Sequence, residues 1–157
     1  MREKRIWEVS MSGHFLAERA LCTLENTGFQ RGCESDFYAP YLDLLAPDIS
    51  LEFGIPSGTP LQRSIRGKAA VEEFFVSGLH ELFEELRVDG SVEFVGGRDK
   101  VAILGRESYR IRANGHRVEG KAFAVILEFA DGLLVRDRRI KEMMEFVDAH
   151  RALSEGK

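Results

Sequence analysis

The sequence predicts an α+β fold, a cone-shaped, curved antiparallel β-sheet wrapped around N-terminal helices. Three observations carry this reading. Turn signals at Val95-Gly96-Gly97, Asn114-Gly115 and Asp131-Gly132 cut the second half into segments 84–95, 101–112, 117–129 and 133–142. Apolar residues alternate within those segments, as they do on strands with one buried face. The first half repeats its apolar residues at helical spacing instead.

In chain order, residues 1–12 read as a flexible N-terminal arm that Ile6 and Trp7 would dock, and residues 13–157 as a single domain. A helix is expected over 13–28, where Leu16, Ala17, Ala20, Leu21 and Leu24 share a face and Gly28 gives a stop. Residues 29–34 form a loop. A second helix covers 36–46; Pro40 limits its regular part and Pro47 marks its end. Asp48 to Phe53 reads as a strand with Ile49, Leu51 and Phe53 on one side. Residues 54–66 hold Gly54, Pro56, Gly58 and Pro60, a breaker-rich loop and candidate lid. The third helix, 67–83, carries a wide stripe of Ala70, Val71, Phe74, Phe75, Gly78, Leu79 and Leu82. The four strands follow, with Asp89-Gly90 marking either a bulge or a tighter turn. A helix over 143–154 closes the chain. A sheet that curls around helices leaves an open mouth, where small-molecule pockets form.

Composition narrows the function. A chain of 157 residues, 44% hydrophobic and 31% charged, can bury a real core. A formal charge of -4 offers no attraction to nucleic acid or to an anionic membrane, so neither is an expected partner. No apolar run reaches membrane-spanning length, and no signal peptide is visible. The two cysteines, Cys22 and Cys33, cannot build a disulfide framework; Cys22 reads as a small core residue and the cytoplasm as the location. His14, His80, His116 and His150 show no ligand spacing, so neither a metal nor another cofactor is expected. Ser57 lacks a nucleophile elbow, and His116 reads as a solvated turn residue.

The strand faces give the candidate site. One face carries Val101, Ile103, Gly105, Glu107, Tyr109 and Ile111, then Phe123, Val125, Leu127 and Phe129, then Leu133, Val135, Asp137 and Arg139. It is apolar except for Glu107, Tyr109, Asp137 and Arg139. Ionised groups on an apolar concavity cost free energy unless paired, wetted or used. In a catalytic reading Asp137 or Glu107 is a general base, with Asp137 preferred and Glu107 assisting, while Arg139 stabilises developing negative charge and Tyr109 donates a hydrogen bond. Phe53, Ile103, Phe123, Val125, Leu127 and Phe75 would form an apolar wall. Tyr38 and Tyr41 would line the opening, and His80 would reach its mouth. In a structural reading Arg139 pairs with Glu107 or Asp137 at the wet rim, and the tyrosine hydroxyls stand in water.

Three stretches then resemble a known family: Leu45-Ala46-Pro47-Asp48-Ile49-Ser50-Leu51-Glu52-Phe53, the run from Arg66 through Glu72-Glu73-Phe74-Phe75, and Leu127-Glu128-Phe129-Ala130-Asp131-Gly132-Leu133-Leu134-Val135. They are similar to the nuclear transport factor 2-like superfamily, in its SnoaL-like and ketosteroid isomerase-like branch, over about residues 14–153. The resemblance implies a cystatin-like roll, a small-molecule ligand and a homodimer. It also exposes departures. The isomerase general base would fall at Phe53, its oxyanion-hole Asp near Val125 and its Tyr near Glu25, none of which can do that work. SnoaL-like cyclases and phenazine-pathway relatives place acid/base residues on the inward face of the last strand, matching Asp137 and Arg139. Limonene epoxide hydrolases use an Asp–Arg–Asp set with a Tyr, which Glu107, Arg139, Asp137 and Tyr109 would imitate. A second alignment takes 139–148 as the last strand and puts Glu142 or Glu145 in place of Asp137. It needs about six extra residues after Asp131-Gly132, against the short loops of hairpins, so 133–142 is preferred.

The expected function is binding of a small apolar ligand or substrate, by a cofactor-free acid/base isomerase, cyclase or hydrolase. The alternative is a non-catalytic ligand-binding or protein-interaction module of the same fold. Ala102, Leu104, Ala122, Ala124 and Ile126 leave the outer sheet face apolar, which a twofold dimer would cover.

Overall fold

Alternating apolar residues become strands here because one face of the sheet packs against the helices. The computed structural model describes residues 13, 15–24, 35–55 and 58–155. Its elements are a short 3-10 helix α1 (Arg19–Thr23), α2 (Ser35–Leu42), β1 (Leu45–Phe53), β2 (Ser64–Arg66), α3 (Lys68–Glu73), a π-helical stretch Phe74–Gly78, α4 (Leu79–Leu82), β3 (Phe83–Gly96), β4 (Lys100–Ile111), β5 (Arg117–Ala130), β6 (Leu133–Lys141) and α5 (Met144–Glu155). The expected arm, His14, Glu25, the Gly28 stop, the 29–34 loop with Cys33, and Ser57 lie outside the described residues. Cys22 is half-buried against the core.

The six strands form one sheet in the order β2-β1-β6-β5-β4-β3. The long strands pair antiparallel as a meander, while β1 runs parallel to β6, so the sheet is mixed. Fully buried residues on its concave face include Leu51, Val101, Ile103, Val125 and Leu127. Against them pack Ala17, Ala20, Tyr38, Tyr41, Val71 and Phe75 from the helices, with Phe146 from α5. This contiguous apolar burial, at about 25 cal/mol per Å², is the main force holding helices to sheet.

Four boundaries differ from the sequence reading. Pro47 does not end a helix: α2 stops at Leu42, and Pro47 lies within β1 where the pairing to β6 shifts between Leu45 and Ser50. A residue without an N–H fits a break in the ladder. The 54–66 loop contains β2, too short to show periodicity, and its Leu61 is buried. The third helix is not uniform, since its middle turn is π-helical. On β6 the inward residue near the start is Leu134 rather than Leu133, because the register slips between Glu128 and Phe129. Asp89-Gly90 is a bulge, with the β3–β4 register shifting between Asp89 and Glu93 and Gly90 at φ 73°.

Candidate active site

The last strand is 133–141, and its register decides what faces the core. Asp137 lies between Leu51 and Leu127, and Arg139 between Phe53 and Val125. Lys141 follows at the same parity, opposite Phe123, which in turn lies opposite Gly105. Three charged residues in succession therefore point inward from one strand.

Arg139 is almost wholly buried, at 2% exposure, and is held from several sides. Its Nε and Nη2 donate to the two oxygens of Asp137 at 3.0 and 2.9 Å, and Nη2 also donates to Thr23 Oγ1 at 2.9 Å. Its guanidinium lies 5.1 Å from the Phe75 ring centre and 5.8 Å from that of Tyr41. Tyr41 Oη donates to Asp137 Oδ2 at 2.8 Å. Burial works against the guanidinium charge, yet Asp137 outweighs it and pushes the Arg139 pKa further up. Burial and the neighbouring Asp137 charge raise the Tyr41 hydroxyl well above its usual range.

A second pair lies one step further along the cone. Lys141 Nζ donates to Glu107 Oε2 at 2.9 Å, with side-chain exposures of 7% and 1%. Burial lowers the Lys141 pKa, opposed by Glu107 and aided by the nearby Arg139 charge. Tyr109 is buried beside this pair and donates a long hydrogen bond, 3.4 Å, to the Glu142 carbonyl. Burial, then Glu107, pushes its hydroxyl pKa upward.

Of the two expected pairings the structure forms Asp137–Arg139, while Glu107 takes Lys141; the correction concerns their place, since both pairs are buried rather than set at a wet rim. Asp137 is two residues from Arg139 on one strand. Glu107 lies two inward rows beyond Arg139, where Lys141 intervenes. Lys141 escaped the sequence reading although it continues the parity of Asp137 and Arg139. The tyrosines are corrected too. Tyr38 and Tyr41 are buried, and the Tyr38 hydroxyl meets His80 Nε2 at 3.3 Å instead of water. Burial, then Arg112, lowers the His80 pKa. His116 follows the turn in solvent, as read, and its Nε2 lies 3.0 Å from Glu145 Oε1.

A cavity opens between these pairs and the helices. Its polar wall is Glu107, Lys141, Tyr109, Arg139 and Thr23, and its apolar wall includes Phe53, Phe74, Phe75, Leu79, Phe83 and Met143. Of the expected apolar wall it thus brings in Phe53 and Phe75. Ile103, Phe123, Val125 and Leu127 are buried core, and neither they nor Asp137, Tyr38, Tyr41 and His80 line it. The space open to the centre of a water molecule is about 20 Å³, room for roughly one water. A larger ligand therefore has to displace side chains. Lys141 and Met143 also line an open cleft of about 360 Å³, with Gly54, Ile55, Lys121, Glu142, Met144, Glu145 and Val147. Among the described residues no group of three or more His, Cys, Asp or Glu is placed to hold a metal ion, and no helix is long and apolar enough to cross a membrane.

Chemically, the arrangement offers a carboxylate and an amine in contact, a phenol beside them, and a guanidinium fixed by its own counter-ion, all facing aromatic rings.

The family profile of the SnoaL-like domain matches residues 28–137. No curated protein matches the chain. Among solved structures, an NTF2-like protein from Burkholderia xenovorans LB400 superposes with a TM-score of 0.70 at 17% identity, covering 90% of this chain and 97% of its own. A protein described as a SnoaL-like polyketide cyclase, from Jannaschia sp. CCS1, gives 0.67 at 18% identity over 92% and 94%. A protein described as an isomerase, from Rhodopseudomonas palustris, gives 0.62 at 20% identity over 89% and 96%. At these identities the likeness concerns the fold.

Proposed function

The chain belongs to the SnoaL-like family, and from that premise we propose that it binds a small, largely apolar molecule and moves a proton on it without a cofactor, as an isomerase or cyclase would. The observation that carries this reading is the buried Glu107–Lys141 pair on the polar wall of a cavity whose other wall is aromatic and aliphatic. Buried ion pairs are weak devices for stability, because desolvation offsets most of their attraction. Their presence in a cavity wall points to chemistry. Glu107 is the general base. Tyr109 and Arg139 stabilise charge that develops on a carbonyl oxygen. Asp137, with both oxygens engaged by Arg139 and one also by Tyr41, positions the guanidinium. Solved structures of similar fold described as a polyketide cyclase and as an isomerase are named for reactions of this class. The working unit is a homodimer, closed over the apolar outer sheet face.

A second reading is favoured by the small cavity: a ligand-binding protein in which Glu107 and Lys141 only neutralise each other. Deuterium exchange separates the two. Cyclohexanone and 2-tetralone in D2O, followed by NMR, should exchange α-protons at least about 100-fold faster with the protein than in buffer, the usual scale of general-base catalysis. Glu107→Gln should abolish the excess. Exchange at the buffer rate with the unmodified protein, or undiminished exchange in the variant, would remove the acid/base reading.

A further inference from the structure

Lys141 is the group that proton transfer alone leaves underused. Its side chain is buried, yet it lines two spaces at once, the inner cavity and the open cleft of about 360 Å³. An ammonium carries three N–H donors. Among the described residues, Glu107 is the side chain that accepts one of them, and the Phe123 ring, 5.8 Å from Nζ to its centre, covers another side. The fixed guanidinium of Arg139 stands on the neighbouring inward position of the same strand. In that setting the ammonium has a carboxylate in contact that can take its proton and a second cation close by that disfavours its charge. Burial and an adjacent cation are the two conditions that make a lysine nucleophilic.

We propose that Lys141 forms an imine with a small apolar aldehyde or ketone that enters through the cleft, with Glu107 as the proton shuttle. This rests on the cavity being the ligand site, and it names the substrate class as a carbonyl compound. The atoms balance without an outside reactant. Lys141 passes one proton to Glu107, and its free amine attacks the carbonyl carbon. A C–N bond forms and the C=O π bond becomes a hydroxyl in the carbinolamine. Glu107 returns its proton to that hydroxyl, which leaves as water as the C=N bond closes. The three hydrogens first on the ammonium end as two on water and one on the iminium nitrogen, beside the Glu107 carboxylate. The inner cavity accommodates little beyond the reacting atoms. The ligand's apolar tail is therefore directed along Ile55, Met143, Met144 and Val147 in the cleft.

The test traps the imine. The whole protein is incubated at pH 7 with 3-phenylpropanal and sodium cyanoborohydride, which reduces imines and leaves aldehydes, and labelled peptides are followed by mass spectrometry. Lys141 should be alkylated at least tenfold faster than exposed Lys68 and Lys100. Lys141→Arg should lose that label while Lys68 and Lys100 keep theirs. The excess should persist toward lower pH than the labelling of those two, since a buried amine gives up its proton more readily. Labelling of Lys141 no faster than of Lys68 and Lys100 would overturn the imine. The deuterium exchange above then scores the acid/base reading separately: exchange intact without a label leaves Glu107 as base and removes the covalent step.

Discussion

Arg139 and Asp137 form a fully buried polar knot, and its energetics follow from burial. Two charges at 2% and 0% exposure are tolerable only together. Asp137→Asn keeps the shape and removes the charge, leaving a buried guanidinium with Thr23, Tyr41 and Phe75 as its remaining neighbours. Unpairing a buried ion pair costs about 3–5 kcal/mol. Urea unfolding should show a loss of that size, whereas Asp137→Leu with Arg139→Met should recover much of it, because an apolar pair needs no counter-ion. A loss under 1 kcal/mol for Asp137→Asn would mean that water reaches the guanidinium. At this scale the sequence was partly legible. Parity alone put Asp137, Arg139, Glu107 and Tyr109 on the inner face, since side chains alternate wherever the register does not slip. The same parity extends to Lys141, but a basic residue at a strand end resembles a solvated terminus. Tyr41 was not legible as the partner of Asp137, because a contact across 96 residues has no local signature.

Among the elements, the long strands followed from turn dipeptides and alternation, and their ends fall within one or two residues of the expected bounds. What failed was what has no period. β2 has three residues, and the first residues of β1 include a proline that resembles a helix stop. The parallel pairing of β1 with β6 joins distant segments by topology rather than by pattern. The β4–β5 pairing carries its own device. A Cβ on Gly105 would come 2.9 Å from the Phe123 ring and 3.0 Å from Val92 Cγ1. The ring thus covers the glycine directly opposite and also floors the Lys141 amine. Gly105→Ala forces that ring aside. Overpacking of this kind costs about 1–3 kcal/mol, which thermal or urea unfolding would report. A variant as stable as the parent would mean that the ring rotates away freely and does not hold the lysine.

For the whole molecule, the proposed dimer rests on the outer sheet face. Across β4, β5 and β6, Leu104, Ala124 and Ile140 stand in one row, and Val95, Ala102 and Ile126 stand in the next from β3 to β5. Ile140 is 54% exposed and Leu104 37%, while the small side chains of Ala102, Ala122 and Ala124 would let another sheet approach closely. A contiguous apolar face on antiparallel strands is normally covered, and a second copy applied about a twofold axis presents the same face in return. Arg136 and Arg138, clustered with Glu128 and Glu52 beside the patch, supply a charged border of both signs. Sedimentation at micromolar concentration should therefore report twice the chain mass of 17.7 kDa. Leu104→Lys combined with Ile140→Lys should return the monomer with its circular dichroism unchanged, since both side chains already meet solvent in the single chain. The dimer is excluded if the parent sediments as one chain. If the double variant still pairs, the contact lies on another face, and the row through Ala124 is then left to solvent.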